Sequence, residues 1–389
     1  MRSLLVFVAL LGFIGPVQAC PFCSATGQTL LGEAKQSDLI LFGELSNAKR
    51  DPGSFARGTT DLTIESVIKD HEFRKGREKL SIPRYIPKDP EPMKYLVFCE
   101  VFGGKLDPYR GLAVKPDSDS PKYLKGAIAV RDASDEKRMA YFFEYLNVDD
   151  TAIANDALTE FGNADYKQTR ELYQRLDPEP IVKWLKGNPP ASRVGLYGHM
   201  LGHCGKAEHA DALKNLLDAA KGKRRFTGID GLLAGYVMLK PEEGWAYLRE
   251  LLDDPEEEFL LRYAGLRALR FFWDYRQDLK PAKEIVDAAC LLLDQSDIAD
   301  LPIEDLRKWE QWQVADKVLP LFEEDSHDIP IVRRSILKYA LSMPKDDKAG
   351  QDLLAKARKA DPERVQDIEE LLKFEKEARA ASSEAGGGE

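Results

Sequence analysis

Three short segments constrain what most of this chain folds into. Arg193-Val-Gly-Leu196, Arg262-Tyr-Ala-Gly-Leu266 and Arg334-Ser-Ile-Leu337 share one pattern, and from Leu196 to Leu266 to Leu337 each interval is two steps of about 35 residues. The intermediate registers hold GLLAGYVML (Gly231–Leu239) and, more loosely, LPIEDLRKW (Leu301–Trp309). A second signature, Leu213-Lys-Asn-Leu216-Leu217, returns one period later as Leu248-Arg-Glu-Leu251-Leu252. Lys240–Trp245 and Asp253–Phe259 place Pro and carboxylates where helices begin, which suits the missing proline N–H and the positive helix end. A period in the mid-thirties built from paired amphipathic helices predicts an α-solenoid, because one pair cannot bury its apolar stripe without neighbours.

Those repeats resemble the HEAT family over roughly residues 136–378. The resemblance implies an all-α solenoid and says little about role, since one fold serves many functions. Residues Arg379–Glu389, RAASSEAGGGE, read as a disordered end.

The opening is of another kind. Residues 1–19 have a basic Arg2, an apolar run Leu4–Ile14 and a small-residue finish, Val17-Gln18-Ala19. That pattern is an export signal, too short to read as a membrane span. It predicts a secreted protein of the periplasm, cell envelope or extracellular space, where disulfides persist.

From residue 37 the pattern turns to strands. Asp38–Asn47 and Thr59–Asp70 alternate apolar and polar residues around a Pro52-Gly53 turn, and Glu78–Ile86 and Lys94–Gly104 add two more. A helix at Ser24–Gln36 precedes them, and a small helix near Tyr123–Ala127 follows a closing segment, YRGLAVKPD. Four or five short strands in about 100 residues predict a small closed barrel over residues 20–132. ACPFC, SDLILFGEL, TDLTIESVIKD and KYLVFCEV together resemble the netrin-like, OB-fold module of tissue inhibitors of metalloproteinases. That resemblance implies cysteines at the mature N-terminus tied to later strands. The opening here is Cys-x-x-Cys, not the inhibitors' Cys-x-Cys, which puts protease inhibition in doubt. The expected fold class is thus two-domain α+β: a small OB-like β-barrel followed by an all-α HEAT-type solenoid.

Five cysteines are present: Cys20, Cys23, Cys99, Cys204 and Cys290. Cys204 and Cys290 fall about two repeats apart and are expected to be free buried thiols. The other three leave several fates open. Cys20 or Cys23 pairs with Cys99, or Cys20 carries a lipid anchor and Cys23 pairs with Cys99, or Cys20 and Cys23 form a thiol–disulfide redox pair. A c-type haem site needs His after the second cysteine, where Ser24 stands.

Three further clusters draw attention. His199, His203 and His209, with Cys204 near them, are metal-ligand types, and the first two share a helix face. The metalloprotease pattern needs Glu after the first His, and Met200 is there; glycines on one side and Val194, Tyr197 and Leu201 on the other favour a packed solenoid helix. Ser326-His327-Asp328 is too local to converge into a triad, and Asp328 with Pro330 reads as a helix start. Leu260–Arg276 is the chain's richest stretch of aromatics and arginines. Leu261, Leu266, Leu269 and Phe272 read as core, and Arg267, Arg270, Trp273, Tyr275 and Arg276 as the edge of a partner-binding groove.

A formal charge of −10 argues against a nucleic-acid or anionic-membrane binder, and the basic run Lys221–Arg225 reads as a solvated loop. No catalytic set and no cofactor motif emerges. The expected function is an exported, non-enzymatic scaffold that binds an unidentified protein partner through the solenoid. A thiol–disulfide protein using Cys20 and Cys23 is the alternative, and a metal-dependent hydrolase at His199 and His203 the third.

Overall fold

The alternating segments form a five-stranded antiparallel sheet. A computed structural model describes residues 21–22, 25–53, 57–221 and 227–385. The strands are β1 (Leu39–Arg50), β2 (Gly58–Lys69), β3 (Lys79–Ile82), β4 (Lys94–Phe102) and β5 (Lys105–Val114), in the order β3-β2-β1-β4-β5. β1 is central, and Leu39–Gly43 is buried throughout. Leu39, Leu41, Leu62, Leu80, Ile82, Val97 and Cys99 build one core cluster. Ile40, Phe42, Leu96 and Phe98 are buried as well. A Cβ on Gly43 would stand 1.9 Å from the Thr63 carbonyl oxygen, so the irregular β1–β2 pairing admits only glycine there. Pro108 faces Cys99 at a bulge on the edge strand β5, where its missing N–H is tolerated.

The chain divides into two compact units, Cys23–Arg175 and Leu176–Glu389, the latter including Met1–Phe22. The first holds the sheet with helices α1 (Leu30–Gln36), α2 (Ser120–Val130), α3 (Asp135–Phe143), α4 (Thr151–Asn163) and α5 (Tyr166–Arg175). α1 begins at Leu30, not Ser24, because Thr29 accepts the Gly32 N–H as N-cap and Gly27 sits at φ 141°. The expected domain border at 132–136 moves to 175, and residues 136–175 leave the expected solenoid. A half-buried carboxylate on α4 helps hold this helix in the first unit. Asp156 accepts the Leu30 N–H at 2.8 Å and the Tyr123 hydroxyl at 2.8 Å, tying α4 to α1 and α2. Tyr123 also packs on Tyr145, 4.8 Å between ring centres, and accepts the Tyr141 hydroxyl at its carbonyl.

The second unit is helical: α6 (Pro178–Lys186), α7 (Ala191–Cys204), α8 (Ala210–Ala220), α9 (Ile229–Leu239), α10 (Pro241–Asp253), α11 (Phe259–Tyr275), α12 (Ala282–Ala289), α13 (Asp300–Lys308), α14 (Ala315–Val318), α15 (Pro330–Ser342), α16 (Lys348–Ala360) and α17 (Pro362–Ala385). The repeat leucines fall where a shared core needs them. Leu196, Leu266 and Leu337 lie on α7, α11 and α15 with at most 1% of their surface exposed, and Leu213 and Leu248 on α8 and α10 are fully buried. α7 packs on α9, α9 on α11, and α13 on α15. α7 and α9 touch through glycines: a Cβ on Gly231 or Gly235 would lie 2.1 Å from the Gly195 or Gly198 carbonyl oxygen.

Two other expectations change. Helix α17 continues to Ala385, within the end expected to be disordered. Cys99, expected in a disulfide, has a free thiol, and burial followed by the charge of Asp107 pushes it up to about 12. Cys204 and Cys290 are free thiols as expected, raised chiefly by burial to about 12 and about 11. Residues 1–20, 23–24 and 222–226 lie outside the described residues, so the leader, the fates of Cys20 and Cys23 and most of the basic run do too. Among the described residues no helix is long and apolar enough to cross a membrane, and no ladder joins β3 to β5.

Candidate functional site

The helical unit carries a socket that its own N-terminal segment fills. The close α7–α9 approach leaves space on α7 beside Gly195, where a Cβ would stand 3.0 Å from the Phe22 carbonyl oxygen. Phe22 is buried there, its ring 4.8 Å from that of His199 on α7 and 4.9 Å from that of Phe271 on α11. His199 and Phe271 themselves meet edge to face at 4.9 Å. Above the rings, Arg267 donates to the Pro21 carbonyl oxygen at 3.2 Å and pairs with Asp230 of α9 at 2.8 Å. Small floor, aromatic walls and a cationic lip make this a fitted site for a Pro-Phe segment.

His199 and His203 sit one helical turn apart, with their Nε2 atoms 3.1 Å from each other. Burial, then the nearby His203 and Arg276, holds His199 well below the usual imidazole range, so its ring is neutral. His203 is half-buried. His209 does not join them. It pairs with Glu179 at 3.4 Å and accepts the Lys206 N–H at Nδ1. Among the described residues no three His, Cys, Asp or Glu side chains gather as a metal requires.

Beside Pro21 the outer face of α11 opens into a cleft of about 270 Å³ bounded by Tyr263, Arg267, Arg270, Phe271, Asp274 and Tyr275. Arg270 pairs with Asp305 at 2.7 Å and lies over the Tyr263 ring. Tyr263 in turn stacks with Phe259. Burial raises the Asp274 carboxyl, with Arg270 opposing. Of the five expected groove residues, Arg267, Arg270 and Tyr275 line this cleft. Trp273 stacks instead on Trp309, 4.4 Å between centres. Arg276 is buried, paired with Asp278 at 2.8 Å and turned to the Met238 sulfur. Leu261, Leu266, Leu269 and Phe272 are core, as expected.

The Ser326-His327-Asp328 run is structural. His327 Nε2 is 2.8 Å from the Leu293 carbonyl oxygen, Ser326 meets Nδ1 at 2.9 Å, and Asp328 pairs away with Arg333. Ile329, not Asp328, occupies the N-cap of α15.

Pro21 and Phe22 were not legible as site residues; between two cysteines they read as a spacer. No family model, no curated protein and no solved structure matches this chain.

Proposed function

We propose that this chain is an exported, non-enzymatic scaffold of the cell envelope that binds a protein partner through the outer face of α11. One observation carries the reading. Phe259 and Leu260 expose 39% and 50% of their surface at the start of α11, and the same helix continues through Tyr263, Arg267 and Arg270 to the cleft beside Pro21. Exposed apolar side chains joined to tyrosine and arginine have the composition of energetic centres in interfaces. The Cys-x-x-Cys redox reading gains no such surface argument.

The finer architecture belongs to this proposal. A HEAT-type stack fits the succession α7–α9–α11 and the buried leucines at each period. An OB-like, netrin-like curl fits a core cluster whose members come from β1 to β4 and that Leu106 of β5 packs against. Export rests on the leader at 1–19 and a membrane anchor on acylation of Cys20.

The test is site-specific photo-crosslinking in the expressing cell. A crosslinking residue at Leu260 or Tyr263 is expected to capture one envelope protein that the same residue at the exposed Lys356 does not. Equal capture from all three positions, or none from the first two, would contradict the proposal.

A further inference from the structure

A strand that is central at one end and open at the other needs a reason. β1 runs for 12 residues, Leu39–Arg50. On one side β2 pairs with it from Ile40 to Arg50, whereas on the other β4 pairs only with Leu39–Gly43. From Glu44 onward that second side has no ladder among the described residues. A strand edge is a row of unpaired N–H and C=O groups, a template for another chain. Proteins blunt such edges with cations, and β1 does so only at its far end, where Lys49 and Arg50 are exposed. Glu44–Ala48, about 17 Å of strand, precedes them.

The open edge borders a cleft. Glu44–Ala48 forms one wall of a space of about 580 Å³, and residues 85–93 form much of the rest. The irregular pairing with β2 between Ser46 and Lys49 does not turn the edge away, since Asn47 and Ala48 still line the cleft. The opposite wall carries proline at 87, 90 and 92. A proline nitrogen has no hydrogen to donate, and among the described residues no backbone hydrogen bond joins this wall to β1. The loop thus lines the edge without pairing it. Leu45, Ile86 and Tyr95, each half-buried, pack against the core cluster of the sheet and give the cleft an apolar floor. All of these residues belong to the sheet unit.

We propose that the Glu44–Ala48 edge of β1 takes up an extended peptide as an added strand, with one apolar side chain of that peptide seated among Leu45, Ile86 and Tyr95. Two features select this occupant over a compact apolar molecule. Consecutive strand residues form the long wall, so it offers main-chain donors and acceptors at a strand's own spacing. The apolar floor is one spot beside that wall, which suits a side chain projecting from an extended backbone. Main-chain pairing then supplies affinity and the apolar spot selects the side chain. Every second N–H of the peptide must be free to pair, which excludes proline at those positions.

The experiment selects a displayed library of random linear peptides on the full chain and then synthesises the strongest binder. With that peptide bound, hydrogen exchange is expected to slow at Glu44–Ala48 and nowhere in the helical unit. N-methylation of alternate backbone amides in the binder is the sharpest probe. Methylating one alternate set is expected to abolish binding and methylating the other to leave it within about twofold, because only every second N–H of an added strand faces its neighbour. Met93 is half-buried in the cleft wall. Met93→Glu places a carboxylate beside the apolar spot and is expected to weaken binding about tenfold or more, with far-UV circular dichroism unchanged. The proposal is overturned if no peptide is enriched, if both methylated sets bind alike, or if Met93→Glu binds as the parent does. Protection that falls elsewhere, α11 included, overturns it equally and leaves the role of α11 standing.

Discussion

The two units hold their buried polar groups in opposite ways. In the helical unit several long-range side-chain bonds recur at similar separations. Arg262 reaches Gln295 and Asp297, Arg270 reaches Asp305, Lys280 reaches Glu242, His327 reaches Leu293 and Lys338 reaches Glu375, at separations of 33 to 38 residues. Each of these bonds spans about one step of the leucine pattern in the sequence. The sheet unit has no such period. Asp156 reaches back 126 residues to Leu30 and 33 to Tyr123, and Glu33 meets Tyr109 and Arg110 across 76 and 77. The helical unit spreads such bonds at similar intervals along the chain, and in the sheet unit Asp156 and Glu33 each hold two partners. Damage should therefore stay local in the first and spread in the second.

The largest expected effect is an exception that sharpens this contrast. Gly235→Val forces a side chain into backbone, since even its Cβ would lie 2.1 Å from the Gly198 oxygen. We expect a loss of about 3 kcal/mol or more, read by denaturant unfolding, with the sheet unit still folded. Asp156→Ala comes next. It strands the Leu30 N–H and the Tyr123 hydroxyl, and a cost of about 2–3 kcal/mol should lower protection across the whole sheet unit in hydrogen exchange. Arg262→Met removes a bidentate pair with Asp297 and a bond to Gln295. A cost of about 1–3 kcal/mol is expected, confined to α11 and the turn near Asp297.

The smallest effects are in pH dependence, and individual carboxylates differ in sign. Burial raises both Asp156 and Glu160 above their ordinary values of 3.8 and 4.5. Their protonated forms favour the folded state. That contribution is complete below the ordinary values and is lost as pH rises through the raised ones. Asp297 is the reverse: the Arg262 hydrogen bond lowers it, so its contribution is present above 3.8 and lost as pH falls through the lowered value. Denaturant midpoints across mildly acidic pH should show the sheet unit gaining stability from neutrality downward, and Asp156→Asn should flatten that gain. A flat profile in the parent chain would break the comparison.

The helical region was readable in the sequence for a physical reason. The pattern that places Leu196, Leu266 and Leu337 in the core recurs, so its signal adds along the chain. Alternation likewise exposed β1, β2 and β4. The border at Arg175 was not legible, because α3–α5 carry the same amphipathic signal whichever core they join; tertiary contacts such as those of Asp156 and Asn163 decide. The free thiol of Cys99 was hidden in the same way. Counting cysteines invites a bond, whereas a strand position with no exposed surface already accounts for a small apolar side chain. His199 and His203 were legible as a pair and His209 was not separable from them, since spacing does not say that Glu179 draws it off. Phe22 was invisible because a socket made by Gly195, His199 and Phe271 exists only in three dimensions.

That socket is the centre of the account, and hydrogen exchange of the Phe22→Ala chain against the parent tests it most directly. Emptying an aromatic socket of this kind costs about 2–4 kcal/mol. The account predicts that protection falls in α7 and the middle of α11 while α13–α17 and the sheet unit keep theirs. Unchanged protection in α7 and α11, or a uniform loss throughout the chain, would contradict it.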